Sequence, residues 1–112
     1  MSCYDTVSNG RTKLTDRTLD SLAKNINWER DRLYLCDNGS CEDTQYLYRT
    51  YGQHIPFTLI KIGRNIGTAK AINLAWAHRT KDEICVKMDN DVVVHQHDWP
   101  NLIQEAMDRD KK

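Results

Sequence analysis

Three short apolar runs, each closing in a polar turn, are what most limit the fold of this chain. RLYLC (32–36) ends in DNGS, FTLIKI (57–62) breaks at Gly63, and EICVKM (83–88) runs into the acidic turn Asp89–Asp91. Segments of helical period separate them. Residues 12–26 carry Leu14, Leu19, Leu22, Ala23 and Ile26 on roughly one face, with Thr12 or Thr15 available as the N-cap. Residues 42–51 begin with acids, which suit a helix amino end, and close at Gly52, a suitable C′ residue. Residues 66–80 align Ile66, Ala69, Ile72, Asn73 and Trp76 in one stripe. After the acidic turn come a short strand, VVV (92–94), and a helix in HDWPNLIQEAMDRD, capped by Asp98 with Pro100 in its first turn. Strands alternating with helices of these lengths predict a three-layer α/β domain with a largely parallel sheet. Ligands of such a sheet bind at the carboxyl ends of its strands.

At 112 residues the chain is one domain's worth, enough to bury roughly two thirds of the surface exposed by the unfolded chain. Its 16 basic and 16 acidic residues cancel, so overall charge draws it neither to nucleic acid nor to an anionic membrane. Any anion it binds is held locally. The chain has no apolar run of about 18 residues and no leader-like N-terminus, and reads as soluble and cytoplasmic. The four cysteines, at 3, 36, 41 and 85, read as free thiols, Cys36 and Cys85 as small buried hydrophobes. A zinc site from Cys36, Cys41, His95 and His97 lacks a second paired spacing.

The acidic turn poses the sharpest question, because VKMDNDVVV sets two carboxylates between β-branched apolar runs. Burying an unpaired charge costs several kcal/mol or more. The acids therefore either lie in a surface turn or hold something positive. Taken singly, DNGS is a common turn, GRNIG a loop opening a helix, and D-x-D a chance occurrence. Together they close three strands along one sheet edge, which independent turns have no reason to do and a shared pocket does.

The string LCDNGSCEDT, then IGRNIGTAKAIN, then VKMDNDVVV resembles the donor-binding half of a glycosyltransferase of the GT-A fold, most closely family 2. The matching positions are Asp37, Ser40, Asp43 and Thr44; Asn65, Gly67, Ala69, Ala71 and Asn73; and Asp89 and Asp91. The resemblance implies a single Rossmann-like, GT-A nucleotide-diphospho-sugar-binding domain over 1–112. It also implies divalent-metal-dependent transfer of a sugar from a UDP-, GDP- or dTDP-linked donor to an acceptor hydroxyl, with inversion.

The residue roles follow from the same resemblance. Asp91 would ligate Mn²⁺ or Mg²⁺, with Asp89 touching the ribose or reaching the metal through water. Asp37 would accept a hydrogen bond from the nucleobase, and Tyr4 would flank that base. Asn65 and Gly67 belong to the loop facing the donor. Lys70 would approach the diphosphate. Asn73, a buried amide in need of partners, would bridge to the acidic turn or to the donor.

Two departures accompany the match. Only SCYD stands where the family has its first strand, which lies in the middle of the sheet, and residues 92–112 offer no catalytic base. Asp98 caps a helix, while Glu105, Asp108 and Asp110 sit on its polar face. The expectation is a domain truncated at both ends, with an unpaired sheet edge through which it could oligomerise. The alternative function is a non-catalytic module binding a sugar nucleotide or a protein partner. A nucleotidyltransferase would need a Gly-rich loop near the N-terminus, of which SNGRTK (8–13) is a thin version.

Overall fold

The computed structural model describes residues 1–110. Its elements are β1 (Ser2–Cys3), α1 (Thr12–Asn25), β2 (Tyr34–Asp37), α2 (Glu42–Tyr51), β3 (Thr58–Lys61), α3 (Thr68–Trp76) and α4 (Trp99–Asp110). The strands form one parallel sheet in the order β1-β2-β3. A lone parallel bridge between Ser2 and Asp89 sets the acidic turn along the other edge of β1.

Alternation along β2 builds two cores from one strand, because successive side chains leave a strand on opposite faces. Leu35 packs with Leu19 and Leu22 of α1, Ile26 just after it and Tyr48 of α2 on one face. Cys36 packs with Ala71 and Ala75 of α3 on the other. Helices α1 and α2 also contact each other. The result is the three-layer α/β arrangement expected, with an all-parallel sheet.

Connection order explains where this sheet can open. The path β1-α1-β2-α2-β3 steps steadily across the sheet. The chain then passes through α3, on the other face, back to the far side of β1. The order of elements thus reverses at β1, and crevices of open α/β sheets form at such switch points.

Several local expectations are corrected. Residues 83–88, expected as a strand, form none. Their neighbour β1 provides a single ladder step, at Asp89, and without ladder partners this backbone stays irregular. The segment is fastened instead by an ion pair from Arg32 to Glu83. VVV is no strand either; Val94 is pinned to α1 through its N–H to Ser21 Oγ (3.1 Å) and its carbonyl to Asn25 Nδ2 (3.0 Å).

Helix ends and faces differ too. The N-cap of α1 is Arg11, without a side-chain cap bond, rather than Thr12 or Thr15. Thr15 is instead buried, and its hydroxyl serves another partner, described below. Gly52 ends α2 with φ of −62°, so its capacity for positive φ is not used. Helix α3 is shorter than the expected 66–80 and buries Ala71, Ile72 and Ala75. Asn73 therefore lies exposed, and Trp76 is 40% exposed. Small residues on the face toward β2 let α3 approach closely, and this turns the helix away from the stripe that periodicity suggested.

Gly39 combines a positive φ with a close approach of neighbouring backbone. Its φ is +88°, and an added Cβ would stand 3.2 Å from the backbone of Gly63 and Arg64. The loops after β2 and β3 touch here. Gly39→Ala should destabilise the chain by on the order of 2 kcal/mol, from positive-φ strain plus the clash. A midpoint of urea denaturation unchanged from wild type would show that the two loops yield freely.

Candidate functional site

A cleft of about 390 Å³ opens at the carboxyl ends of the strands. Its volume lies within the range of small-molecule sites. Ser2 and Tyr4 line it from β1 and its continuation, Asn38 from the end of β2, Asn65, Gly67 and Thr68 from the start of α3, and Met88 to Asp91 from the acidic turn, with Arg11 at the rim. A second hollow of about 470 Å³ lies at the amino ends of β1 and β2, between apolar side chains such as Leu22, Leu33, Met88 and Trp99. The polar groups of the strand-end loops converge on the first.

Asp5 organises that convergence. It is fully buried, and its carboxylate accepts from three side chains on three separate parts of the chain. Thr15 Oγ1 of α1 donates to Oδ2 at 2.6 Å, Thr44 Oγ1 of α2 donates to Oδ2 at 2.8 Å, and Asn90 Nδ2 donates to Oδ1 at 3.0 Å. Asn90 Nδ2 also donates to Thr15 Oγ1 at 2.9 Å. The Asp5 backbone joins the loop after β2, its N–H donating to Ser40 Oγ (3.0 Å) and its carbonyl accepting from Cys41 N (2.7 Å).

The inward anchoring of Asn90 orients its neighbours. With Asn90 buried, Asp89 and Asp91 on either side are turned out and line the cleft. Their side chains are 61% and 45% exposed. Each has a basic neighbour: Lys87 Nζ lies 3.1 Å from Asp89 Oδ1, and Arg11 Nη2 lies 3.4 Å from Asp91 Oδ2.

Asn38 ties the remaining walls together. It is buried, its N–H donates to Cys3 O at 2.8 Å, and its Nδ2 donates to Ser2 Oγ at 3.2 Å. Gly67 takes φ of +88° at the amino end of α3, and its N–H donates to Asn65 Oδ1 at 3.0 Å. That helix end borders the cleft, where its dipole favours negative charge.

Of the residues singled out from sequence, the structure brings Tyr4, Asn65, Gly67, Asp89 and Asp91 together around the cleft. Asp37 lies just beneath it, 2% exposed, accepting from Tyr48 Oη (2.8 Å), Gln45 Nε2 (2.8 Å) and Ser40 N (3.2 Å). Its contacts make it a support of the DNGS loop. Lys70 and Asn73 are exposed on α3 and do not line the cleft. Sequence reasoning missed Ser2, Asp5, Arg11, Asn38 and Asn90.

The donor set suits a hard divalent cation. Two exposed carboxylates on one turn supply the oxygen ligands that Mg²⁺ or Mn²⁺ takes, and Mg²⁺ commonly takes only one or two from a protein. Among the described residues no group of three or more His, Cys, Asp or Glu side chains gathers for a metal. His97 Nδ1 lies 3.1 Å from Lys24 O.

An all-parallel sheet between helical layers, with a polar cleft at the topological switch point, defines a Rossmann-like α/β domain. The chain belongs to Glycosyl transferase family 2, whose family model matches residues 6–112. Comparison with curated proteins and with solved structures finds no match. No described helix is long and apolar enough to cross a membrane.

Two outcomes follow from these contacts. Asp5→Ala would strand the Thr15, Thr44 and Asn90 donors and should cost on the order of 3 kcal/mol; a loss well under 1 kcal/mol in chemical denaturation would refute the anchoring role. The thiols should also alkylate in a definite order in the folded chain. Burial pushes Cys3 up to about 12, whereas the Thr12 hydroxyl, with backbone N–H groups of α2's first turn, holds Cys41 below the usual thiol range. Iodoacetamide near pH 8 should therefore label Cys41 well before Cys3, with mass spectrometry reading the order; equal rates would contradict both environments.

Proposed function

We propose that the cleft binds the donor of a glycosyl transfer, a UDP-, GDP- or dTDP-linked sugar, together with Mn²⁺ or Mg²⁺. The observation that carries this reading is the outward-facing pair Asp89 and Asp91 across from the amino end of α3. The cleft is lined by two carboxylates and one guanidinium. Lys87 and Arg11 already balance the two carboxylates, so a diphosphate would bring negative charge that the cleft does not offset, and a divalent cation is what reconciles the two. When bound, such a cation would act as a Lewis acid toward the departing diphosphate.

The protein's own groups take the remaining roles. Asp91 would hold the cation, and Asp89 would reach the ribose or the cation's water shell. Tyr4, 42% exposed on the β1 wall, offers a ring to the base. Asn65 and Thr68 face the diphosphate beside the helix end. Asp37 supports this arrangement from below, through the loop that carries Asn38. The proposed transfer would have an acceptor hydroxyl attack the anomeric carbon opposite the diphosphate, inverting it. The four unbridged cysteines suit a reducing, cytoplasmic setting.

One observation favours a second reading. Among the described residues none beyond Asp91 lines the cleft, and Glu105 and Asp110 lie exposed on α4. A general base must reach the acceptor hydroxyl to within hydrogen-bond distance. The described residues thus support a donor-binding module as well as a transferase.

Calorimetric titration with UDP, GDP and dTDP, each with and without Mn²⁺, tests the proposal. We expect one nucleotide to bind in a metal-dependent way and Asp91→Asn to lose about ten-fold or more in that affinity, a change equivalent to roughly 1.4 kcal/mol. A folded chain that binds none of the three would end the donor reading. Metal-dependent binding without release of nucleotide from the matching sugar nucleotide would select the binding module.

A further inference from the structure

Arg11 is the one cationic side chain lining the cleft among the described residues. Its backbone is held firmly. Its N–H donates to Asn9 Oδ1 (3.0 Å), which also accepts from Thr6 N (2.9 Å), while Asn9 Nδ2 donates to Tyr4 O (3.0 Å). The first turn of α1 contains no acid to occupy the guanidinium.

The side chain makes two contacts of different kinds through one nitrogen. Nη2 donates to Asn90 Oδ1 at 2.7 Å and lies 3.4 Å from Asp91 Oδ2. Asn90 is buried and anchored, its amide nitrogen committed to Asp5 and Thr15. Asp91 is about half exposed, and the contact to it is the longer one. A guanidinium has five N–H donors in a planar fork that matches phosphate oxygens. Two contacts at a single nitrogen leave the other donors of that fork without a hydrogen-bond partner among the described residues.

We propose that Arg11 is an exchangeable counter-ion of the acidic turn. With the cleft empty it neutralises Asp91. When a divalent cation takes Asp91, Arg11 keeps its bond to Asn90 and turns its charge to the donor's diphosphate. The inference rests on the donor reading above and adds a positioning residue to it. It makes an unusual demand on a single side chain: Arg11 opposes metal binding alone and favours nucleotide binding in the presence of metal.

Arg11→Gln separates these effects, with Arg11→Lys retaining the charge without the fork, and circular dichroism confirming that both fold. Free Mn²⁺ is counted by electron paramagnetic resonance during titration of the protein without nucleotide. UDP, GDP and dTDP are then titrated calorimetrically at saturating Mn²⁺. Arg11→Gln should bind Mn²⁺ several-fold more tightly and the nucleotide about ten-fold more weakly, as expected for loss of a charge-assisted hydrogen bond. Arg11→Lys should leave Mn²⁺ binding near wild type and recover part of the nucleotide affinity.

Affinities that fall together would mean that Arg11 merely shapes the turn, and affinities that stay unchanged would mean a surface contact; either result overturns the inference. The Mn²⁺ arm needs no nucleotide. An unaltered Mn²⁺ affinity in Arg11→Gln therefore defeats the inference even where the donor reading holds. Wild-type protein that binds Mn²⁺ but none of the nucleotides defeats the donor reading, and the phosphate half of the inference with it.

Discussion

The buried carboxylate of Asp5 is the contact on which the rest of the site depends. A carboxylate is an acceptor only, so it can gather donors from several directions without needing one in return. Here it gathers Thr15, Thr44 and Asn90, and so fixes α1, α2 and the acidic turn relative to the end of β1. Apolar packing alone would hold these elements together without specifying their angles so closely. In a region of low dielectric a fully satisfied polar network is stiff, because an opened bond exposes an unpaired buried group. The stiffness sits directly under the cleft, where a site for a charged ligand most needs it.

That anchor explains how two acids can stand among apolar neighbours. Asn90 is drawn inward to Asp5 by its amide, and the turn leaves the residues on either side of it at the surface. Asp89 and Asp91 are consequently turned toward water, so neither pays the desolvation penalty of burial. The apolar runs beside them contribute little to the sheet. Ser2↔Asp89 is a single bridge, Val92 and Val93 are each 38% exposed, and Val94 is fastened by Ser21 and Asn25 of α1. Hydrogen bonds from polar side chains, rather than strand pairing, hold this part of the chain.

The same division separates what could be read in the sequence from what could not. Elements whose partners are regular and close in sequence were legible: α1, β2, α2 and β3 lie within two residues of their expected limits, because hydrophobic period and turn chemistry are local signals. Residues 83–88 were not, since a strand exists only where a neighbour offers a ladder, and β1 offers one step. Asn73 failed for a related reason. Periodicity gives a helix an apolar face but not its rotation against the sheet, which Ala71 and Ala75 decide by packing on Cys36. The strand-end clusters and their shared edge were visible, as were Asp89 and Asp91. Asp5, Arg11 and Asn90 were not, because their roles come from contacts across 75 or more positions, as in Arg11–Asn90, a separation of 79, or from a three-way meeting that no spacing announces.

Magnitudes decide why Arg11 can be both partner and competitor at the acidic turn. Half-exposed ion pairs contribute only about 0–1 kcal/mol, since water screens the attraction and ordering two long side chains opposes it. A factor of ten in an equilibrium constant requires about 1.4 kcal/mol, so the Arg11–Asp91 contact by itself is too weak to lock the turn against a divalent ion. The Asn90 contact differs, because its acceptor is fixed by a buried network and its geometry is close to ideal at 2.7 Å. The guanidinium thus has one durable attachment and one that is readily exchanged. A side chain held in this way stays at the cleft's rim whichever anion it neutralises, and the ligand charge determines whether that anion is Asp91 or a phosphate.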